Sequence, residues 1–349
     1  MGISYSPHIV SDGLVLCLDA ANPRSYPVGP ELWDGTVSPT VLNFGGTTGY
    51  YDIATKTMHS PTSAANVDRP RFTFNLGLTA GKLYSIVGTL SGDLDDLTTG
   101  GRVNPNIALN TTTGEINTTF TAVNESIWFV FNANFSPSSV TIESLSVREV
   151  TSVWKDLSGN GNNGTFGSGT AAPTFSGDNG GVLSFDGSND YVSGTNNITL
   201  QLVNDLTVFA WVKLGDAANQ GIVEKMNSSY NGYGITKQNG FFKFWTASNN
   251  NYTYTNSNTT YVADNNWYHV VGRRMSGTNR LFINSILQSD SQSAPLSDSG
   301  QIYVVGRYYS NVDNFYLGGN ISQVSIYNRA LTVQEIRQNF NATRGRYGN

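Results

Sequence analysis

Residues 153–166, "VWKDLSGNGNNGTF", hold a lone Trp154 and then a run of glycine and asparagine. Asn-Gly pairs suit the positive backbone angles of tight turns. A phosphate loop is disfavoured, because it needs a Gly-Lys-Ser/Thr ending and a following helix. The stretch is typical of the start of a β-domain, yet the strand that should precede it, "SDGLVLCLDAANPRSYP", lies at residues 11–27. What fills the interval decides the number of domains.

Downstream of Trp154 the sequence predicts a regular series of strands bounded by Gly, Asn and Ser. In "DLTVFAWVKLG", residues 205–215, both alternating sets of positions are apolar, which predicts a strand buried on both faces with Trp211 in the core. Strands at this spacing indicate a sandwich or jelly roll. The other segments are "GVLSFDGSNDYVSG", "NNWYHVVGRR", "NRLFINSIL", "GQIYVVGRYY" and "GGNISQVSIYNRAL".

A short helix is predicted near the C-terminus. Thr332 and Glu335 have the spacing of a capping box, in which each side chain accepts from a backbone N–H that the helix leaves free. Val333, Ile336 and Phe340 recur on one face. We therefore expect an amphipathic helix that docks on the sandwich.

The interval between the two stretches has a strand set of its own. Because a structureless loop of that length is rare in a compact domain, the pattern predicts a second domain. The expected fold is all-β: a jelly roll of residues 1–29 and 151–349, with a β-sandwich of residues 30–150 inserted into it. The predicted strands lie in "RPRFTFNLGL", "GKLYSIVGTLSG", "NPNIALN", "GEINTTFTA", "ESIWFVFNANF" and "SSVTIESLSVREV".

Six segments, in order and spacing, resemble the laminin-G-like, concanavalin-like jelly roll. They are "GLVLCLDAANPRSYP", "WKDLSGNGNNGTF", "LSFDGSNDYV", "LTVFAWVK", "NWYHVVGRR" and "ISQVSIYNRALTVQEI". The opening and the ending "NFNATRGRYG" resemble the version carried by structural proteins of tailed bacteriophages. The interval is similar to carbohydrate-binding-module jelly rolls, on the basis of "LTAGKLYSIVGTLSG" and "SLSVREV".

Composition argues against several classes of partner. The net charge is −5 and no block of Lys or Arg occurs, whereas a nucleic-acid binder needs a basic face. No run of 18 apolar residues is present, so no membrane-spanning helix is expected. The N-terminus, "MGISYSPHIV", has no cationic and apolar secretory pattern. A surface rich in Asn, Thr, Ser and Tyr without an export signal suits a virion protein that assembles in the host cytoplasm.

Catalysis is not expected. Concanavalin-like glucanases resemble this fold but carry a Glu-x-Asp-x-x-Glu strand, which this chain lacks, and glycan hydrolysis needs two carboxylates across the sugar. Glu224 stands alone before Lys225, which predicts a surface ion pair.

The segment "FWTASNNNYTYTNSNTTY", residues 244–261, is the main candidate for binding. Trp245, Tyr252, Tyr254 and Tyr261 offer flat apolar rings among amides and hydroxyls, which is how neutral sugars are held. The same tyrosines in a hairpin would equally cover the sandwich or contact a neighbouring subunit. Both interpretations stay open at the level of sequence.

A calcium site is the one candidate for a bound metal, and no other cofactor is expected. Asp156, Asp186 and Asp190 supply the oxygen ligands that Ca²⁺ prefers. Many relatives carry an acidic pair in the last strand, where this chain has Ser322 and Gln323. That departure argues against a site of the family type.

The sequence thus predicts a non-enzymatic structural protein of a tailed-phage virion, as a head decoration or a neck or tail appendage. It would act through contacts with other virion proteins and form a homo-oligomer. The alternative is an adhesin that recognises a glycan on the host surface.

Overall fold

In the computed structural model, the chain divides into two compact units, Met1–Pro27 with Ser152–Asn349 and Val28–Thr151. We call them the host unit and the inserted unit. The structure describes residues 8–26, 29–42, 49–60, 70–94, 113–131, 137–216, 218–308 and 315–348. Within these ranges regular structure is almost all β-strand, with one α-helix, α1 (Val333–Thr343). The predicted all-β fold class is confirmed.

The host unit contains two antiparallel eight-stranded sheets. The strands of the first are β1 (Leu14–Asp19), β12 (Thr174–Ser176), β13 (Val182–Asp186), β15 (Leu206–Leu214), β20 (Trp267–Met275), β21 (Thr278–Ile283), β22 (Ile286–Ser293) and β24 (Gly318–Tyr327). Their order is β12-β13-β24-β15-β20-β21-β22, with β1 also paired to β24. Among the strands that the structure describes, the first is therefore hydrogen-bonded to the last.

The second sheet of the host unit carries the candidate site at one edge. Its strands are β10 (Val153–Trp154), β11 (Gly164–Phe166), β14 (Val192–Ser193), β16 (Gln220–Met226), β17 (Gly232–Gln238), β18 (Phe241–Ser248), β19 (Asn251–Asn256) and β23 (Val304–Val305). They are ordered β10-β11-β14-β23-β16-β17-β18-β19, which leaves β19 at the edge.

Strand β15 is buried on both faces because α1 covers the outside of the first sheet. Trp211 is fully buried, its ring lies 5.7 Å from that of Phe340, and its Nε1 donates to Thr343 Oγ1 at 2.8 Å. The capping box of Thr332 and Glu335 is present at the start of the helix. The predictions for Trp211 and for the docked helix are confirmed.

The glycine and asparagine run after Trp154 forms turns that hold it against β1. Gly159 and Gly161 have φ of 88° and 74°, conformations that glycine adopts without steric cost. The Asp156 carboxylate accepts from the backbone N–H groups of Cys17, Ser158 and Asn162 at 2.9–3.0 Å. This stretch therefore belongs to the host unit.

The inserted unit has one three-stranded and one five-stranded sheet, ordered β2-β5-β8 and β3-β4-β9-β6-β7. The strands are β2 (Thr40–Leu42), β3 (Tyr50–Asp52), β4 (Thr57–Ser60), β5 (Arg71–Asn75), β6 (Leu83–Gly92), β7 (Glu115–Thr121), β8 (Ser126–Val130) and β9 (Ser138–Glu149). Residues from both sheets share one apolar core, which includes Phe72, Phe74, Ile86 and Val140. The strand predicted in "NPNIALN", residues 104–110, lies outside the described residues.

In the part of the chain that the structure describes, no helix has the length and apolar character needed to cross a membrane.

Candidate functional site

The segment singled out in the sequence forms a hairpin of β18 and β19. Its turn is Asn249–Asn250, with φ of 51° and 61°, the left-handed pair that a two-residue hairpin turn requires. The register places Tyr254 opposite Trp245 and Tyr252 opposite Ala247. Tyr252 and Tyr254 thus share one face of β19, with ring centroids 5.5 Å apart in an edge-to-face arrangement.

A third tyrosine, Tyr230, joins them from the turn between β16 and β17. Its ring centroid lies 5.2 Å from that of Tyr252, and the two side chains are 39% and 47% exposed. The two turns are hydrogen-bonded to each other: Asn250 N donates to Ser229 O at 2.8 Å, and Asn249 N to Asn231 Oδ1 at 2.6 Å. We call Tyr230, Tyr252 and Tyr254 the tyrosine platform.

Trp245 supports the tyrosine platform from beneath. It is 2% exposed and clusters with Met226, Ala247 and Tyr308, and the half-buried Tyr254 packs against this group. Lys243 Nζ lies 4.9 Å from the centre of the Tyr254 ring, close enough for a cation–π contact. Burial raises the pKa of Tyr254 to about 12, so the phenol is neutral at ordinary pH.

The platform lies on the outer face of its sheet. The neighbour of Trp245 in β18, Phe244, points the other way and packs on Gly272 of the opposite sheet. Because side chains alternate along a strand, Trp245 and Ala247 point away from the inter-sheet core, as do Tyr254 and Tyr252 opposite them.

Tyr261 does not belong to the platform. Its ring packs against Phe242 and Tyr268, with centroids 4.8 Å away in each case. Phe242 shares the inward face of Phe244, so Tyr261 extends the core. Of the four predicted binding residues, the structure therefore brings Trp245, Tyr252 and Tyr254 together and places Tyr261 elsewhere.

Glu224 lies in the same cross-strand row as Trp245. The pairings run from Glu224 to Gly234, from Gly234 to Trp245 and from Trp245 to Tyr254. Glu224 is fully buried, and this burial raises the pKa of its carboxyl well above the usual value. The predicted surface ion pair with Lys225 is wrong, because Lys225 points to the other face and its Nζ lies 2.7 Å from Asp298 Oδ1.

The three candidate calcium ligands do not form one group. The described residues contain no cluster of three or more His, Cys, Asp or Glu side chains that could hold a metal ion. Asp156 is used by the backbone of the turn after Trp154, whereas Asp190 Oδ2 accepts from the backbone N–H of Asp186 at 2.9 Å. Burial, and next the charge of Asp186, raise the pKa of Asp190 to about 7.

Comparison with known families places this site in a recognisable domain. Residues 186–337 match the family model Laminin_G_3, described as the concanavalin A-like lectin/glucanases superfamily. The matched residues lie within the host unit. The tyrosine platform and Glu224 both lie within the matched residues. No match was found among curated proteins.

The solved structures that are similar to the chain are distant. The binding domain of Paraclostridial Mosquitocidal Protein 1 is 19% identical with a TM-score of 0.43, covering 54% of this chain and 49% of that one. The ligand-binding domain of botulinum neurotoxin serotype D, in complex with N-acetylneuraminic acid, is 18% identical with a TM-score of 0.44. That match covers 53% of this chain and 47% of the neurotoxin domain. This chain spans about half the length of these proteins, and likenesses at this level carry no argument about function.

Two residues of the site were missed by the sequence reasoning. Tyr230 lies within the residues matched by the family model but outside the aromatic segment, and hydrogen bonds between two turns bring it to Tyr252. Glu224 lies 21 residues before Trp245 in the sequence. The signal that marks it is the glycine at position 234, which the register of β16, β17 and β18 places between them.

Proposed function

We propose that this chain is a non-enzymatic binding protein whose concanavalin A-like domain holds a neutral saccharide on the tyrosine platform. The observation that carries the proposal is the pair of adjacent, partly exposed rings of Tyr230 and Tyr252, beside Tyr254, which packs on the cluster of the buried Trp245. Flat aromatic faces pack against the apolar C–H faces of sugars. The family description, which includes lectins, supports a binding role.

The surroundings of the platform suit an uncharged, hydroxyl-rich ligand. Asn249, Asn250 and Asn251 are exposed at the adjoining turn, and their amide groups can both donate and accept hydrogen bonds. A few polar groups beside an apolar surface are what fixes the orientation of a small ligand.

The test is retention on immobilised neutral polysaccharides by Tyr252→Ala and wild-type protein. We expect the variant to bind at least about tenfold more weakly, a loss of about 1.4 kcal/mol, because Tyr252 is the most exposed ring of the platform. Tyr50→Ala, which removes a 57% exposed tyrosine of the inserted unit, is the matched control and should bind like the wild type. Equal retention of all three proteins would refute the proposal.

The second candidate function is a structural role in a tailed-phage virion, assembled in the host cytoplasm. The observation that favours it is the exposed apolar pair Ile286 and Leu287, 67% and 45% exposed, where β22 follows β21. Exposed apolar side chains of this kind mark contacts between proteins. The resemblance of the opening "GLVLCLDAANPRSYP" and of the ending "NFNATRGRYG" to the version carried by structural proteins of tailed bacteriophages supports the same role, with other virion proteins or further copies of the chain as partners.

Mass spectrometry of purified particles tests this second candidate through the presence and copy number of the chain. A variant with Ile286→Ser and Leu287→Ser should be incorporated less than wild type. If Tyr252→Ala abolishes incorporation while saccharide retention is unchanged, the platform is a subunit contact and the first proposal fails. Particles that lack the chain would contradict the virion role.

A further inference from the structure

Glu224 is a buried acid whose carboxyl makes no hydrogen bond or ion pair in the part of the chain that the structure describes. It is fully buried in β16, and neither of its carboxyl oxygens has a hydrogen-bond partner among the described residues. Nε1 of Trp245 is likewise buried without one. An unpaired buried charge is strongly unfavourable in proteins, so the uncharged acid is the form that this fold accepts.

Gly234 brings the acid and the indole together. A Cβ at this position would stand 2.7 Å from Glu224 Oε2 and 2.7 Å from Trp245 Cζ2. Both distances are too short for any side chain larger than hydrogen. The carboxyl of Glu224 therefore lies next to the ring that supports the tyrosine platform.

The groups around the acid are aromatic or apolar. Met226, Tyr308 and Phe315 belong to the same cluster as Trp245 and Tyr254. The indole of Trp245 favours the charged form of Glu224, although the two side chains do not reach hydrogen-bond geometry. Burial favours the neutral form more strongly and raises the pKa of the Glu224 carboxyl.

The nearby charged side chains are engaged elsewhere. Lys243 lies over the ring of Tyr254, and Lys225, on the other face of β16, is paired with Asp298. The guanidinium carbon of Arg307 lies 3.9 Å from the ring centre of Tyr191, and its Nε makes no hydrogen bond among the described residues. The phenol of Tyr254 has a pKa raised to about 12. Glu224 is therefore the carboxyl of this cluster, and it ionises at a higher pH than an ordinary glutamate does.

We propose that Glu224 is a positioning residue of the tyrosine platform, whose uncharged carboxyl supports Trp245 and Tyr254 and whose ionisation withdraws that support. The ionised carboxylate must be solvated, and water reaches it only if the aromatic cluster opens. Opening displaces Trp245 and with it Tyr254, so the platform loses the arrangement that holds the ligand. Saccharide affinity then falls as the pH rises. The effect on the ligand rests on the proposed function, whereas the movement of the rings does not.

The experiment compares wild type with Glu224→Gln, an uncharged side chain of nearly the same shape, from about pH 5 upward to the highest pH at which both proteins remain folded. Hydroxyl-radical footprinting reports the exposure of Trp245 and Tyr254, and retention on the neutral polysaccharide reports binding. Glu115→Gln, at an exposed carboxylate of the inserted unit, is the matched control. We expect oxidation of Trp245 and Tyr254 to increase with pH, and retention to fall at least about tenfold, in wild type and control but not in Glu224→Gln.

Two failures are distinguishable. If Trp245 and Tyr254 show the same pH response in Glu224→Gln as in wild type, the role of Glu224 is overturned, whatever the protein binds. If the footprint responds to Glu224 but wild type is not retained on saccharide at low pH, the positioning role is supported and the proposed function fails.

Discussion

His269 in β20 is a buried imidazole surrounded by aromatic rings. Its ring centroid lies 4.8 Å from that of Phe209, 5.1 Å from that of Trp211 and 5.8 Å from that of Phe340. Neither ring nitrogen has a hydrogen-bond partner among the described residues. Burial lowers the pKa of His269 to about 3, so the folded chain holds the neutral form.

The sign of the pH effect follows from this lowered pKa. An unfolded histidine takes up a proton near pH 6.5, whereas the folded one resists it down to about pH 3. The contribution of His269 to the free energy of unfolding is therefore complete above about pH 6.5 and is lost progressively as the pH falls toward 3. At about pH 4 the loss is about 3 kcal/mol.

We expect His269→Leu to reduce the acid sensitivity of the host unit. The measurement is urea unfolding at about pH 7 and about pH 4, and the variant should lose about 3 kcal/mol less than wild type between them. His8→Leu removes an exposed histidine of the same unit and should leave the wild-type difference unchanged. An equal acid loss in wild type and His269→Leu would show that the imidazole is not held neutral.

At the level of elements, α1 depends on its first turn. Thr332 Oγ1 accepts from Glu335 N at 3.2 Å, and Glu335 Oε2 accepts from Thr332 N at 2.8 Å. Arg329 Nη2 lies 2.6 Å from Glu335 Oε1, and this hydrogen bond lowers the pKa of Glu335 to about 2. The helix that these contacts start covers Trp211 and His269.

We expect Thr332→Ala to destabilise the host unit by about 1 kcal/mol, the usual cost of a lost N-cap, which corresponds to a Tm lower by about 2–4 °C. Thr332→Ser keeps a hydroxyl at the same position and should retain most of the wild-type Tm. Calorimetry of the two variants checks this, and equal Tm values for Thr332→Ala and Thr332→Ser would mean that the cap contributes nothing.

The elements that the sequence predicted are those with a local signal. The capping box lies within four residues, and the burial of Trp211 follows from alternation within one strand. Glu224 was misjudged because its neighbours are set by register: β17 places Gly234 between it and Trp245, and no pattern within β16 shows this. The separation of Tyr261 from the platform was not predicted for a similar reason, since the chain leaves the hairpin after Asn256 and the ring of Tyr261 packs against Phe242.

At the scale of the whole molecule, the two chain ends at the gap in the host unit lie close together. The first and last residues of the inserted unit also lie close together. In the host unit, Lys155 N donates to Ser25 O at 2.7 Å. In the inserted unit, Gly29 N donates to Glu149 O at 2.7 Å and Leu32 N to Val147 O at 2.9 Å. Because neighbouring ends are what insertion of one domain into another requires, each unit can close without the other.

We therefore predict that joining Pro27 directly to Ser152 leaves a folded host unit, and that residues 29–150 fold alone. Ser25 and Lys155 already bond across the junction, so closing it costs little chain entropy, and both apolar cores lie within single units. Each product should unfold cooperatively in urea, and the shortened host unit should keep the saccharide retention of the full chain, because Tyr230, Tyr252 and Tyr254 all lie in it. A deletion product without a cooperative transition would show that the host core needs the inserted unit. A folded product that no longer binds would place part of the ligand site in residues 28–151.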